Sequence, residues 1–281
     1  MSVILLDGAV GTSLWEKSKN RLPVWRYNLE NPKIVLELHG EYLAAGAQII
    51  LANTFGANRA AVKKGTDYSV NDVAREGVRL AKHAARGSGA KVALSVGPLL
   101  ELLKPHGKLS EEDAAELFSE QITAGAAELP DLIWLQTFMD LEMMKIAVQC
   151  ARKHGIPIFC SMSFEMSGKT MMKDSVAQIV RTLEPQGIDA VGLNCSVGPE
   201  AALPVLREFH EHTNLPLLFK PNAGITTISN GTVQPGMDIE HFVRGVLPAA
   251  DAGATYIGGC CGTNAAYIRA LRQRLLQTGQ L

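Results

Sequence analysis

The chain of 281 residues is long enough for one large α/β domain or two small ones. A hydrophobic content of 47% allows a sizeable core, while 27 basic against 28 acidic residues leave a net charge of -1, which supplies no electrostatic footprint for DNA or RNA. No stretch reaches the roughly 18 apolar residues of a membrane span, the opening MSVILLDGAVG has no basic leader, and five cysteines, an odd number, do not suggest a disulfide framework. Nucleic acid and membrane are therefore excluded as partners, and a reducing cytoplasm is expected.

Apolar runs follow one another along the chain at Val3–Leu6, Gln48–Ala52, Val92–Val96, Leu132–Leu135, Ile158–Met162, Ala190–Leu193, Leu217–Phe219 and Thr255–Gly258. Continuous runs of this kind suit parallel strands buried on both faces. Helical patterns fill the intervals. Asn31-Pro32 offers a cap with proline in the first turn, and Val35, Leu38 and Tyr42 then recur at helical spacing until Gly46. Ser110 followed by Asp113 resembles a capping box, Asp140, Asp174 and Asp238 each precede a similar pattern, and 264–277 reads as the last helix. Long loops are expected at 7–30, 163–174 and 220–237, with Trp15, Trp25 and Tyr27 forming a lid or plug in the first of them.

Eight strand–helix units predict a single (β/α)8 TIM barrel over residues 1–281. The competing architecture is an open doubly wound sheet. Polar residues cluster at the C-terminal ends of the runs: Asp7-Gly8, Asn53-Thr54, Gly97-Pro98, Gln136-Thr137, Ser163, Asn194-Cys195, Pro221-Asn222 and Cys260-Cys261. In a barrel these ends ring one mouth, where enzymes of that fold place their chemistry, whereas a sheet would spread them along an edge.

The doublet Cys260-Cys261 lies in ATYIGGCCG, after an apolar run and between glycines. A disulfide between neighbours closes a strained small ring, so two ligands to one ion fit better. Zinc favours four tetrahedral ligands, of which catalytic sites usually take three from the protein. The candidate for the further thiolate is Cys195, which closes the run AVGLNC where a strand gives way to a loop, against the competing reading that all three are small core residues. Core packing is the competing reading for isolated cysteines, and it is the reading adopted for Cys150 and Cys160.

Several segments together, LLDGAVGT at 5–12, LANTFGANR at 51–59, GLNCSVGP at 192–199, KPNAG at 220–224 and GGCCGT at 258–263, resemble the homocysteine S-methyltransferases, in particular the homocysteine-binding module that opens cobalamin-dependent methionine synthase. The resemblance runs from Leu5 to about Leu275. It implies a (β/α)8 barrel whose Zn2+ is held by Cys195, Cys260 and Cys261, and it places the amino acid part of homocysteine near Asp7, Gly8, Thr54 and Asn194. One position departs from the family's pattern: Gln136, in LQTF, stands where the family usually has Glu. That Glu is expected to pair with the substrate ammonium, and a charge-assisted hydrogen bond is roughly twice as strong as a neutral one, so Gln136 bears directly on whether homocysteine itself is the acceptor.

The chemistry expected is attack of a thiolate on an electrophilic methyl group. An unperturbed thiol has a pKa near 8.5, and a coordinating cation deprotonates it outright. The resemblance leaves the donor open between a corrinoid on a separate protein, S-methylmethionine, S-adenosylmethionine and betaine, and no arm for oligomerisation like that of the betaine branch is evident, so a monomer is expected. His39, His83, His154, His210 and His241 fall in predicted helices or at their ends, His106 and His212 in loops, and none is required. Lys220 and Glu165 stand at strand ends facing the proposed mouth. The competing functions are a zinc hydrolase, disfavoured because such sites use His and carboxylate ligands, a methyltransferase for another thiol, and a non-catalytic thiol-binding or redox-sensing subunit.

Overall fold

The computed structural model describes residues 2–224, 227–229 and 232–281, the backbone alone within 227–229 and 232–234. The eight apolar runs form β1 (Ile4–Leu5), β2 (Ile49–Leu51), β3 (Lys91–Val96), β4 (Leu132–Phe138), β5 (Ile158–Met162), β6 (Ala190–Asn194), β7 (Leu217–Lys220) and, after a hairpin of β8 (Thr227–Ser229) and β9 (Thr232–Gln234), β10 (Ala254–Ile257). They pair in parallel in the order β1-β10-β7-β6-β5-β4-β3-β2. The two ends of that order meet: Leu6 bridges Ile49, Gln48 N donates to Leu5 O at 2.7 Å, and Asp7 N donates to Ile49 O at 3.2 Å. This closure makes a (β/α)8 barrel and rules out the open sheet.

Side-chain alternation within the strands builds the interior in layers. Leu6, Leu51, Trp134, Phe159 and Leu218 pack in the barrel, with Trp134 and Phe159 edge to face at 5.9 Å between ring centroids. The next inward residues toward the C-terminal ends are polar, Ser95, Gln136, Ser161, Asn194 and Lys220, all buried. The opposite parity of each strand, with residues such as Leu94, Leu135, Cys160, Val191 and Phe219, packs against the helices.

The helices lie close to expectation with different caps. In Pro32–Ala44, proline opens the helix and the Asn31 side chain makes no cap. Ser110 accepts from Asp113 N, but Asp113 receives the Ser110 hydroxyl instead of completing a reciprocal box. Asp140 and Asp238 are caps, whereas Ser175, in a capping box with Gln178, takes the role expected of Asp174. Asp174 instead accepts from Thr170 Oγ1 at 2.8 Å inside the 163–174 loop, which is as expected. Two of the expected loops contain structure. The 7–30 stretch forms a helix at Val10–Ser18, a 3-10 turn at Val24–Arg26 and a short helix at Tyr27–Glu30, with Trp25 and Tyr27 buried. The 220–237 stretch carries the β8–β9 hairpin, residues 225–226 and 230–231 lying outside the described residues. His212 ends the helix Pro199–His212 and is not in a loop.

Candidate functional site

Three side chains converge at the C-terminal mouth. The sulfurs of Cys195, Cys260 and Cys261 lie within 4.8 Å of one another, with Cys195 Sγ and Cys261 Sγ 3.4 Å apart. Cys195 follows β6 in the left-handed region, φ +48°, a conformation costly for a side chain with a Cβ, which turns the thiol out of the strand direction. Its N–H donates to Lys220 O at 3.2 Å, and its carbonyl accepts from Ser163 Oγ at 2.9 Å. Cys260 and Cys261 sit in a loop held by backbone and side-chain bonds: Cys260 N donates to Pro221 O at 2.7 Å, Cys261 N to Asn222 Oδ1 at 3.0 Å, and Thr263 Oγ1 to Cys260 O at 2.8 Å. Gly259 is required there, because a Cβ would lie 2.5 Å from Thr263 Cγ2.

The three thiols perturb one another. Hydrogen bonds from Cys195 and Cys261 pull the Cys260 thiol well below its ordinary value, with Lys220 helping against burial. Bonding to Cys260 and burial push Cys195 up, and Cys261, although the Cys195 bond draws it down, is pushed up to about 12 by Cys260 and burial. A divalent cation fits this donor set. Tetrahedral zinc with Zn–S near 2.3 Å sets its sulfurs about 3.8 Å apart, close to the spacing present, whereas a disulfide needs about 2.05 Å.

Beneath the thiols lies a buried ion pair. Lys220 Nζ is 3.2 Å from Asp7 Oδ1 and donates to Gly259 O at 2.6 Å and Gly8 O at 3.0 Å, while Asp7 Oδ2 accepts from Leu51 N at 2.8 Å. Burial pushes the Asp7 carboxyl up, and Lys220 and the Leu51 N–H draw it down. Lys220 is thus an interior residue and not a rim charge. Glu165 stays outside, exposed and paired with Lys173 at 2.7 Å.

A cavity of ≈ 370 Å³ opens beside the sulfurs, lined by Gly8, Asn53, Ser95, Gln136, Thr137 and the first turn of the Val10–Ser18 helix among others. That turn has no side-chain cap and no acidic residue, so its N–H groups suit an anion. Gly8 admits close packing, since a Cβ would come 2.8 Å from Tyr42 Oη and 2.9 Å from Thr263 Oγ1. Gln136 faces inward by strand alternation, and a bulge follows it: the β4–β5 register shifts between Gln136 and Phe138, with Thr137 at φ +64° and its N–H donating to Asn194 Oδ1 at 2.8 Å. Gln136 Nε2 donates to Ser95 Oγ at 2.6 Å. Asn194 is a hub, taking Ser161 Oγ at 2.6 Å and donating to Thr137 Oγ1 at 2.7 Å.

The residues singled out from sequence thus gather at one mouth in different postures. Gly8 and Gln136 line the cavity. The Asp7 carboxylate is engaged below it, and Asn194 supports Thr137. The Thr54 hydroxyl is engaged with the backbone of the neighbouring strand, donating to Ser95 O at 2.7 Å and accepting from Ser95 N at 3.1 Å, so it clips the end of β2 to β3. Its neighbour Asn53 lines the cavity instead, along with Ser95. Strand parity carries the signal for both: Leu51 and Asn53 share a face, as do Ala93 and Ser95.

The site and fold define a (β/α)8 barrel with a three-thiol centre beside a cavity. A sequence model of the family described as homocysteine S-methyltransferase matches residues 4–275, and the chain belongs to that family. It is 28% identical over 293 positions to methionine synthase of Mycobacterium tuberculosis and 26% over 294 to that of Mycobacterium leprae, the matches covering 95% of this chain and 24% of each relative. The chain therefore spans about a quarter of the length of these curated relatives. Among solved structures, the homocysteine methyltransferase MmuM from Escherichia coli superposes with TM-score 0.83 in its metallated form, at 23% identity over 98% of this chain and 96% of that one, and with 0.78 in its apo form; this likeness supports the fold. No helix among the described residues is long and apolar enough to cross a membrane.

Proposed function

We propose that the chain is a zinc-dependent thiol S-methyltransferase with homocysteine as its reference acceptor. The observation that carries this reading is the trio Cys195, Cys260 and Cys261 beside a cavity in a chain of this family. Cys195, Cys260 and Cys261 would hold the zinc, which supplies a fourth position where a thiol loses its proton at neutral pH. The first turn at Val10–Thr12 would hold the acceptor's carboxylate, and the apolar wall of Trp15, Val24 and Phe55 would exclude water from the sulfur. In the transfer the acceptor's S–CH3 bond forms as the donor–CH3 bond breaks, the donor leaving group keeping the electron pair and the thiol proton going to solvent. A reducing cytoplasm would keep the trio available.

The test is metal analysis of purified protein, X-ray absorption with homocysteine, and methyl transfer from a methylated corrinoid, S-methylmethionine and S-adenosylmethionine in turn. About one zinc per chain, a fourth sulfur on adding homocysteine, and methionine from one donor are expected. A metal-free protein that yields no thioether with any donor, while its thiols oxidise reversibly, would favour the redox-sensing reading instead.

A further inference from the structure

Among the described residues, no acidic side chain lines the cavity beside the thiols. Among its described lining residues the one charged group outside the thiols is Lys220, which Asp7 already neutralises. The neighbouring stretch 225–234, ITTISNGTVQ, has no Asp or Glu in its sequence either. What the cavity does offer a nitrogen is neutral. Asn53 is 1% exposed, and its Nδ2 donates to Val24 O at 2.7 Å and to Asn28 Oδ1 at 2.8 Å; this fixes the amide and leaves Oδ1 buried with no partner. Gln136 is fixed in the same way by its Nε2 bond to Ser95, leaving Oε1 with one long contact, 3.5 Å from Asn194 Nδ2. Gly8 O, a further acceptor at the same mouth, is taken by Lys220.

An ammonium brings three donors and a full charge, whereas two amide carbonyls offer acceptors without a counter-charge. Desolvating an ion in such a place costs several kcal/mol unless it is paired. A buried acceptor with no partner carries its own penalty, about 1–3 kcal/mol, which a single neutral N–H relieves. Apolar surface lines the same cavity as the Asn53 amide, since Val24, whose carbonyl accepts from Asn53 Nδ2, lines it with Trp15 and Phe55.

Resting on the thiol-acceptor reading above, we propose that this site reads the nitrogen end of its acceptor as an N–H donor and not as a charge. Its preferred acceptors are thiol carboxylates whose nitrogen is acylated, with N-acyl homocysteine as the type. Asn53 and Gln136 receive the amide N–H, the acyl group lies against Val24, Trp15 and Phe55, and the thiol reaches the sulfur trio.

Calorimetric binding to the zinc-loaded protein tests this with L-homocysteine, N-acetyl-L-homocysteine and 4-mercaptobutyrate, which lacks the amine altogether. N-acetyl-L-homocysteine should bind at least as tightly as homocysteine, and 4-mercaptobutyrate within about threefold of homocysteine. Gln136→Glu should swing the ratio toward homocysteine by tenfold or more. A wild-type preference for homocysteine of tenfold or more over both other thiols, or a ratio unmoved by Gln136→Glu, overturns the proposal while leaving the methyltransferase reading standing. If none of the three thiols binds, the methyltransferase reading fails and this one with it.

Discussion

Lys220 and Asp7, 213 positions apart in the chain, meet at 3.2 Å with both side chains 1% exposed, and the same ammonium holds the carbonyls of Gly8 and Gly259. One cation thus ties the ends of β1, β7 and β10 together under the loop that carries Cys260 and Cys261. Removing one partner of a buried pair strands the other and typically costs about 3–5 kcal/mol, whereas removing both costs less. Lys220→Met should therefore destabilise by that amount in urea unfolding, and the double variant Lys220→Met with Asp7→Asn should recover part of the loss. A single variant costing under about 1 kcal/mol would contradict this account.

Each of Cys195→Ala, Cys260→Ala and Cys261→Ala should purify with its metal content reduced to a small fraction of the parent's, as read by plasma mass spectrometry. Cys150→Ala and Cys160→Ala serve as controls, because both thiols are buried away from the trio, Cys150 against Ser119 and Cys160 in β5. Full metal retention in any of the first three variants would remove that cysteine from the ligand set.

Thr54→Val should cost stability and leave thiol affinity nearly unchanged, since its hydroxyl joins β2 to β3 through both Ser95 backbone groups. The expected loss is about 1–3 kcal/mol, the cost of buried partners left unsatisfied. A large fall in thiol affinity with stability intact would return Thr54 to the role of direct substrate contact.

His39 lies fully buried in the Pro32–Ala44 helix with neither ring nitrogen bonded, and burial lowers its pKa to about 4. The unfolded chain binds a proton near pH 6.5 that the folded chain refuses until about pH 4. Stability should accordingly be complete above pH 6.5 and fall as the pH drops toward 4, by roughly 3 kcal/mol in all. Urea titrations across this range should show the slope in the parent and a smaller one in His39→Leu. Parallel slopes would refute the assignment.

Much of the fold can be read from the chain because eight apolar runs separated by helical patterns leave little choice of architecture, and the thiol trio is legible because two adjacent cysteines between glycines are hard to explain as packing. The cavity beside the thiols is harder to read. Strands buried on both faces hide their alternation, so Asn53 and Thr54 look equivalent at the end of β2 although only parity with Leu51 turns Asn53 inward. Lys220 looks like a rim charge for the same reason; it shares the inward face of Leu218, and its partner Asp7 comes from the other end of the chain. The bulge at Thr137 leaves no compositional trace, since its left-handed backbone is held by Asn194 from a different strand.

Cys195 and Cys261 are separated by 66 positions, and the segment between them contains β7, the hairpin and the helices before β10. An ion gripped by both sulfurs would be a removable clasp, closing that whole segment into a ring and depriving it of conformations it could otherwise explore when the barrel opens. Loading and local unfolding of the C-terminal portion would then be a single equilibrium. Starvation for the ion would expose the chain to proteases as well as silence its chemistry.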